Sequence, residues 1–158
     1  MLKPSQILIG VLVCLAVTTL PASADEMSGS GTNMFSPKVL QEIELPDGTV
    51  ASRLIFKGFM TDDTAGSPLS LASMHCSGTT IAGKDGSPIS SGGTCDSVDK
   101  DGDMAFYWWR SEGMHGKWGF LGGTGKWKGV DGGGTYEQTH MWIDGKMGND
   151  WKGTWTMK

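Results

Sequence analysis

Gly122-Gly123-Thr124-Gly125-Lys126-Trp127-Lys128-Gly129-Val130-Asp131-Gly132-Gly133-Gly134-Thr135-Tyr136 is the stretch on which the reading of this chain turns. Seven of its fifteen residues are glycine. Lysine, tryptophan, valine and tyrosine stand between them at strand-like spacing, so the segment does not read as a linker. Glycine inside a strand marks a bend, a bulge or the close approach of another backbone. Repeated glycines among alternating apolar residues therefore predict strands that curl sharply, as a small closed barrel requires. On this reading Trp127 points inward, Lys126 and Lys128 point outward, and the glycines make room. A phosphate-binding loop is excluded, because Lys126 is followed by Trp127 and not by Ser or Thr.

Outward from this stretch, turn signals recur at short intervals. Pro46-Asp47-Gly48 separates Gln41–Leu45 from Val50–Met60, and residues 61–68 form a loop. Lys84-Asp85-Gly86 separates Leu69–Ala82 from Pro88–Ser97. Asp99-Lys100-Asp101-Gly102-Asp103 leads into the aromatic run Met104–Ser111. His115–Leu121, Gly134–Ile143 and Asn149–Met157 follow, with reversals at Asp144-Gly145 and Gly148-Asn149. Seven or eight short strands at such spacing fit an all-β sandwich or barrel, and nothing reads as a long amphipathic helix. Trp151, Gly153, Trp155 and Met157 share one face of the last strand, while Lys152, Thr154, Thr156 and Lys158 share the other. That period of two means one buried face and one wet face. Trp118 and Phe120 alternate with Lys117 and Gly119 in the same way, so five of the seven tryptophans are best read as core or cavity lining.

The N-terminus carries an address. Lys3, an apolar run from Ile7 to Leu20, and Ala22-Ser23-Ala24 match the three parts of a secretory signal. The run is shorter than the roughly 20 residues a membrane helix needs. The expected mature chain starts at Asp25 after cleavage at Ala24/Asp25, in a bacterial periplasm or outside the cell, with no stable membrane anchor. Residues 25–38 read as a polar, flexible arm and residues 39–158 as a single domain. Removal of Lys3 takes the formal charge from −4 to −5, which gives no reason to expect nucleic acid as a partner. Cys14 leaves with the signal. The remaining pair, Cys76 and Cys95, reads in an exported chain as a disulfide, against the alternatives of two free thiols or a metal site.

Cys76-x-Gly78-Thr79, Gly93-x-Cys95, Asp99-x-Asp101-Gly102-Asp103, Gly123-Thr124-Gly125-Lys126-Trp127-x-Gly129 and Gly153-Thr154-Trp155 occur in this order. Together, over residues 40 to 158, they resemble the bacterial exported allene oxide cyclase barrel-like proteins, related in fold to plant allene oxide cyclases and dirigent proteins. The resemblance implies a calycin-like, eight-stranded antiparallel β-barrel with a central cavity. It carries over no catalytic residue, and function on a shared fold is argued from the site.

Candidate chemistry is sparse. Asp99–Asp103 has the look of a calcium loop, but an EF-hand needs Gly at its sixth position and Glu at its twelfth. Here those are Met104 and Arg110, so the segment reads as a turn with left-handed backbone at Gly102. Met74-His75, Met114-His115 and His140-Met141 pair two copper-ligand types, yet adjacent strand residues point to opposite faces. No Gly-x-Ser-x-Gly elbow is present. Trp108-Trp109 and Trp142 offer a possible sugar-stacking platform that barrel packing explains equally well. Arg110 shares a face with Met104, Phe106 and Trp108; it reads first as a strand end that reaches solvent, and, if that face lines a cavity, as a cation paired with Glu137 or Asp103 or as the anchor of a ligand carboxylate. The expected ligand-binding set is Phe106, Trp108, Arg110, Trp118 and Trp155, with no cofactor and no metal. Three function classes follow in order of preference: a barrel that binds a small apolar or amphipathic molecule, a filled structural or partner-binding barrel, and a cyclase or isomerase acting on a confined substrate.

Overall fold

A computed structural model of the protein describes residues 26–65, 67–142 and 144–157. Eight antiparallel strands follow one another around a closed barrel in chain order. They are β1 (Glu26–Glu44), β2 (Val50–Met60), β3 (Ala72–Ala82), β4 (Pro88–Val98), β5 (Met104–Glu112), β6 (His115–Gly123), β7 (Asp131–Met141) and β8 (Met147–Thr156). The expected all-β, eight-stranded antiparallel barrel is the observed fold. The turns form as their residues dictate: Gly48, Gly86, Gly102 and Gly145 all adopt positive φ, each just after an aspartate. Asp47, Asp85 and Asp144 accept hydrogen bonds from backbone N–H groups two residues on, closing the turn with a side chain.

The first strand overturns one expectation. Residues 26–38 are not a flexible arm; they form the first two-thirds of the 19-residue strand β1. Its first part pairs with β8, from Glu26 opposite Thr156 to Phe35 opposite Met147. Its later part pairs with β2, from Asn33 opposite Met60 to Glu44 opposite Val50. This one strand closes the barrel. Its Ser and Gly content resembles a linker but serves close packing. A Cβ on Gly31 would lie 1.9 Å from the Thr61 carbonyl oxygen, and one on Gly29 would lie 2.9 Å from the Trp155 ring. Pro37 follows the end of the β8 ladder, where one edge of β1 is free of partners. The signal and cleavage site expected over residues 1–24 lie outside the described residues.

The glycine-rich stretch also differs in detail. Gly125–Trp127 is a turn of 3-10 helix between β6 and β7, not part of a strand. It tucks Trp127 under the end of the barrel, where the ring is only 1 % exposed and stacks on Phe120 with centroids 5.9 Å apart. Leu69, Val130 and Trp155 are buried in the same core. They come from the β2–β3 connection, the β6–β7 connection and the end of β8, and they seal this end. The four hairpin turns β1–β2, β3–β4, β5–β6 and β7–β8 lie at the opposite end.

Asp99 binds the sealed end together. Its buried carboxylate accepts hydrogen bonds from Trp127 Nε1 (2.9 Å) and from the backbone N–H groups of Asp101 (2.9 Å) and Asp103 (3.1 Å). Lys126 Nζ lies 3.0 Å from Asp99 Oδ2 and also bonds Asp101. Burial pushes the Asp99 carboxyl up, but the hydrogen bonds from Trp127, Lys126 and the two amides together outweigh it and hold the group below the usual carboxylate range. Lys126 is held above its usual range by its bonds to Asp101 and Asp99. The turn expected at residues 99–103 is therefore present, and Lys126 does not point freely outward: it folds over the aspartates, while Lys128 is exposed.

Candidate functional site

Between the sealed end and the hairpin turns the barrel is hollow. Its cavity measures about 370 Å³, within the ~300–1,000 Å³ common for small-molecule sites. Strand alternation selects the lining. From β5 come Tyr107, Trp109 and Ser111; from β6, Trp118; from β2, Leu54, Phe56 and Met60. Met74, Met114, Met141 and Met147 add flexible thioether side chains to the wall. Phe35 packs edge-on to Phe56 (6.1 Å), Phe56 to Trp109 (5.9 Å), and Trp118 to Trp151 (5.9 Å).

No Asp, Glu, Lys, Arg or His is among the described lining residues. The polar groups are neutral. Tyr107 is pushed up by burial, against a smaller opposing effect of its hydrogen bond with Ser97 (2.9 Å). Burial raises Tyr136 too, opposed by the Ser111 and Ser91 hydroxyls. Asn33 donates to Asn149 Oδ1 at 2.9 Å. Asn33 Oδ1 and the indole N–H groups of Trp109 and Trp118 are buried and find no partner in the protein. The Cys76–Cys95 disulfide is present, bridging directly opposed positions of β3 and β4, and both residues line the cavity.

An eight-stranded closed barrel with strands in chain order and a hollow core has counterparts among solved structures. The pterocarpan synthase dirigent protein PsPTS1 superposes with a TM-score of 0.58 at 13 % identity, over 84 % of this chain and 96 % of its own. The pterocarpan synthase dirigent protein GePTS1 gives 0.55 at 12 %, over 92 % and 97 %. The barrel has the dirigent fold. No family model matches the sequence, and no curated protein matches it. The likeness is one of architecture.

The dirigent-type barrel sorts the expected ligand-binding residues. Trp118 lines the cavity. Trp155 faces inward as expected but is packed into the sealed end, 2 % exposed, edge-on to Phe120. Phe106, Trp108 and Arg110 do not face the interior. The buried side of β5 is Ala105 and Tyr107, continued by Trp109 and Ser111 in the cavity wall. A one-residue change of phase moves every side chain of a strand to the other face. Arg110 is exposed, and no carboxylate lies within 4 Å of it among the described residues, so neither Glu137 nor Asp103 is its partner. Trp108 lies on the outer surface across Gly119, where a Cβ would come 2.6 Å from Trp108 Nε1. Trp108 and Trp109 occupy opposite faces and form no common platform, while Trp142 stacks on His140.

One sequence signal bore on the phase of β5 without deciding it: of its two alternating sets only the outer one carries charges, Arg110 and Glu112, whereas the inner one ends in Ser111. The histidines are outside as well: His75 lies 3.5 Å from Asp96, His115 3.8 Å from Glu137 and His140 3.7 Å from Asp150. Met74 lines the cavity on the other side of the wall from His75. Asn33, Tyr107 and Tyr136 were not anticipated, and Trp109 was raised only as part of a platform with Trp108. Asn33 lay within the presumed arm, and the others depended on the phase of β5 or on the bends of β7.

Proposed function

We propose that this protein binds a small, uncharged, largely apolar molecule inside the barrel. The observation that carries this reading is the 370 Å³ cavity walled by aromatic, aliphatic and methionine side chains. A filled structural barrel would place side chains in that space. The neutral wall favours a carrier or receptor over an acid–base enzyme, because the titratable groups in the described lining, Tyr107 and Tyr136, are both pushed further from neutrality. The disulfide accords with an oxidising compartment, and no helix among the described residues is long and apolar enough to cross a membrane. We place the protein outside the cytoplasm on the disulfide together with the N-terminal sequence pattern.

The test is a titration with the neutral fluorophore N-phenyl-1-naphthylamine. A saturable, one-to-one rise in emission is expected, lost in Ser111→Phe, whose ring would project into the cavity from the inner face of β5. Absence of saturable uptake below about 100 µM, a weak affinity of roughly 5 kcal/mol, would refute the reading. Native mass spectrometry of protein from its source would then identify any retained ligand.

A further inference from the structure

The outer wall of the barrel carries a second concavity, separate in character from the interior. An open groove of about 1150 Å³ runs over strands β5 to β8. Two cross-strand rows of side chains line it. One row is Arg110, Lys117, Thr135 and Lys152; the other, two residues further along each strand, is Glu112, His115, Glu137 and Asp150. Adjacent strands lie ~4.8 Å apart and residues i and i+2 roughly 7 Å apart. The rows are therefore close neighbours, and together they stretch over roughly 14 Å of wall.

This segregation of charge does not serve the fold. Arg110 stands directly opposite Lys117, and Glu137 directly opposite Asp150; like charges in opposed positions destabilise a sheet. The ion pairs among the described residues involve Lys126, Lys146 and the three histidines, and none involves Arg110, Lys117 or Lys152. Asp150 accepts from Thr32 at 2.9 Å, which fixes the carboxylate and leaves it further lone pairs. Beside the cation row Trp108 enters the groove. Its ring rests on Gly119, where a Cβ would come 2.6 to 2.9 Å from Nε1, Cε2 and Cζ2. Gly119 is buried, whereas Trp108 is only half-buried and stays open to the groove.

We propose that this groove binds a neutral, hydroxyl-rich glycan. Ammonium and guanidinium groups only donate hydrogen bonds and ionised carboxylates only accept them, whereas a hydroxyl does both. A chain of sugar rings carries hydroxyls along its edges, so it can accept from Arg110, Lys117 and Lys152 while donating to Glu112, Glu137 and Asp150. The C–H face of one ring packs on the electron-rich face of Trp108. A polyanion would satisfy the cation row but meet three carboxylates one row away. An apolar ligand would strip water from both rows and return no hydrogen bond. The site is independent of uptake by the interior cavity.

The test is titration of the intact protein with cellohexaose and with mannohexaose, followed through the indole N–H signals by nuclear magnetic resonance. At least one of the two should shift the Trp108 signal saturably and leave those of Trp109 and Trp118 in place. Trp108→Ala should weaken binding at least about ten-fold, and Lys117→Met about three- to ten-fold. Both variants should keep the parent's far-ultraviolet circular dichroism and its uptake of N-phenyl-1-naphthylamine, since neither residue lines the cavity. Polygalacturonate, the acidic comparison, should bind more weakly than the better hexasaccharide. Absence of a Trp108 shift with either hexasaccharide up to about 10 mM would overturn the proposal. Binding undiminished in both variants, or shifts confined to Trp109 and Trp118, would overturn the site. Tighter binding of polygalacturonate, lost as salt screens it, would overturn the neutral class and make the groove a reader of anions.

Discussion

Replacing Asp99 with alanine should unlock the sealed end of the barrel, and the structure gives the size of the effect. Three hydrogen-bond donors of fixed geometry depend on this carboxylate: the Trp127 indole N–H and the backbone N–H groups of Asp101 and Asp103. The indole belongs to a residue 1 % exposed, so water cannot replace the lost acceptor, and its loss costs about 1–3 kcal/mol. The two amides lie in an exposed turn and regain water, so each loses only about 0.5–1 kcal/mol. The expected destabilisation is therefore about 2–5 kcal/mol, a large share of the ~5–15 kcal/mol available to a domain of this size. Asp99→Asn should cost less, because its single carbonyl oxygen can serve either the turn amides or Trp127, but not both. Trp127→Phe made alone and together with Asp99→Ala completes a double-mutant cycle with a coupling of about 1 kcal/mol or more. Urea unfolding followed by far-ultraviolet circular dichroism reads all four proteins. A cost below about 1 kcal/mol for Asp99→Ala, or strictly additive effects in the cycle, would show that Asp99 does not hold Trp127 in place.

The same cluster sets a pH window. The folded Asp99 carboxyl is held below its ordinary value, so its contribution is complete above about pH 4 and is lost as pH falls through the folded value. Lys126 is held above its ordinary value, so its contribution is complete below about pH 10 and is lost only at higher pH. The melting temperature should be flat from pH 5 to 9 with respect to this cluster and fall under acid, with a shallower fall in Asp99→Asn; equal acid sensitivity in that variant would contradict the assignment. Cys76 and Cys95 are 19 residues apart, and opening that loop should cost about 3 kcal/mol in the chain-entropy model. Comparison of Cys76→Ala/Cys95→Ala with the parent by urea unfolding measures it, and no change in midpoint would refute it. A Cβ at Gly78 would stand 2.5 Å from both the Gly92 carbonyl oxygen and the Trp109 ring. Gly78→Ala should therefore displace Trp109, shift its indole N–H signal and weaken fluorophore uptake, and an unchanged Trp109 signal would rule this out.

The architecture was legible because turns and curvature are local properties. Asp-Gly pairs announce positive φ, and glycines among tryptophans announce tight strands, so most strands fall within a few residues of the positions their sequences suggest. Two features were not local. The value of Ser28–Gly31 depends on Thr61, Asp62 and Trp155, residues that approach only when the barrel closes; in isolation the segment is chemically a linker. The facing of β5 depends on register with β4, where Cys95 stands opposite Tyr107. Both candidate faces of β5 carry aromatics, so hydrophobic alternation alone could not choose between them. The inward facing of Trp118 was legible because its neighbours Lys117 and Gly119 left only one apolar face. The cavity's neutral polar groups were hidden for a simpler reason: Asn33, Ser91 and Ser111 become informative only once their burial is known.

The double allegiance of β1 has a kinetic consequence. Glu26, among the first described residues to leave the ribosome, finds its partner in Thr156, among the last. Closure therefore waits for synthesis of β8, and the intervening hairpins must form with two sheet edges open. Non-local pairing of this kind slows folding, and open edges invite pairing between molecules. The half of β1 that joins β2 can form at once as a hairpin, holding the other half beside the incomplete sheet until β8 arrives. The strand that looked like a tail would then act as the latch, engaged first at one edge and last at the other.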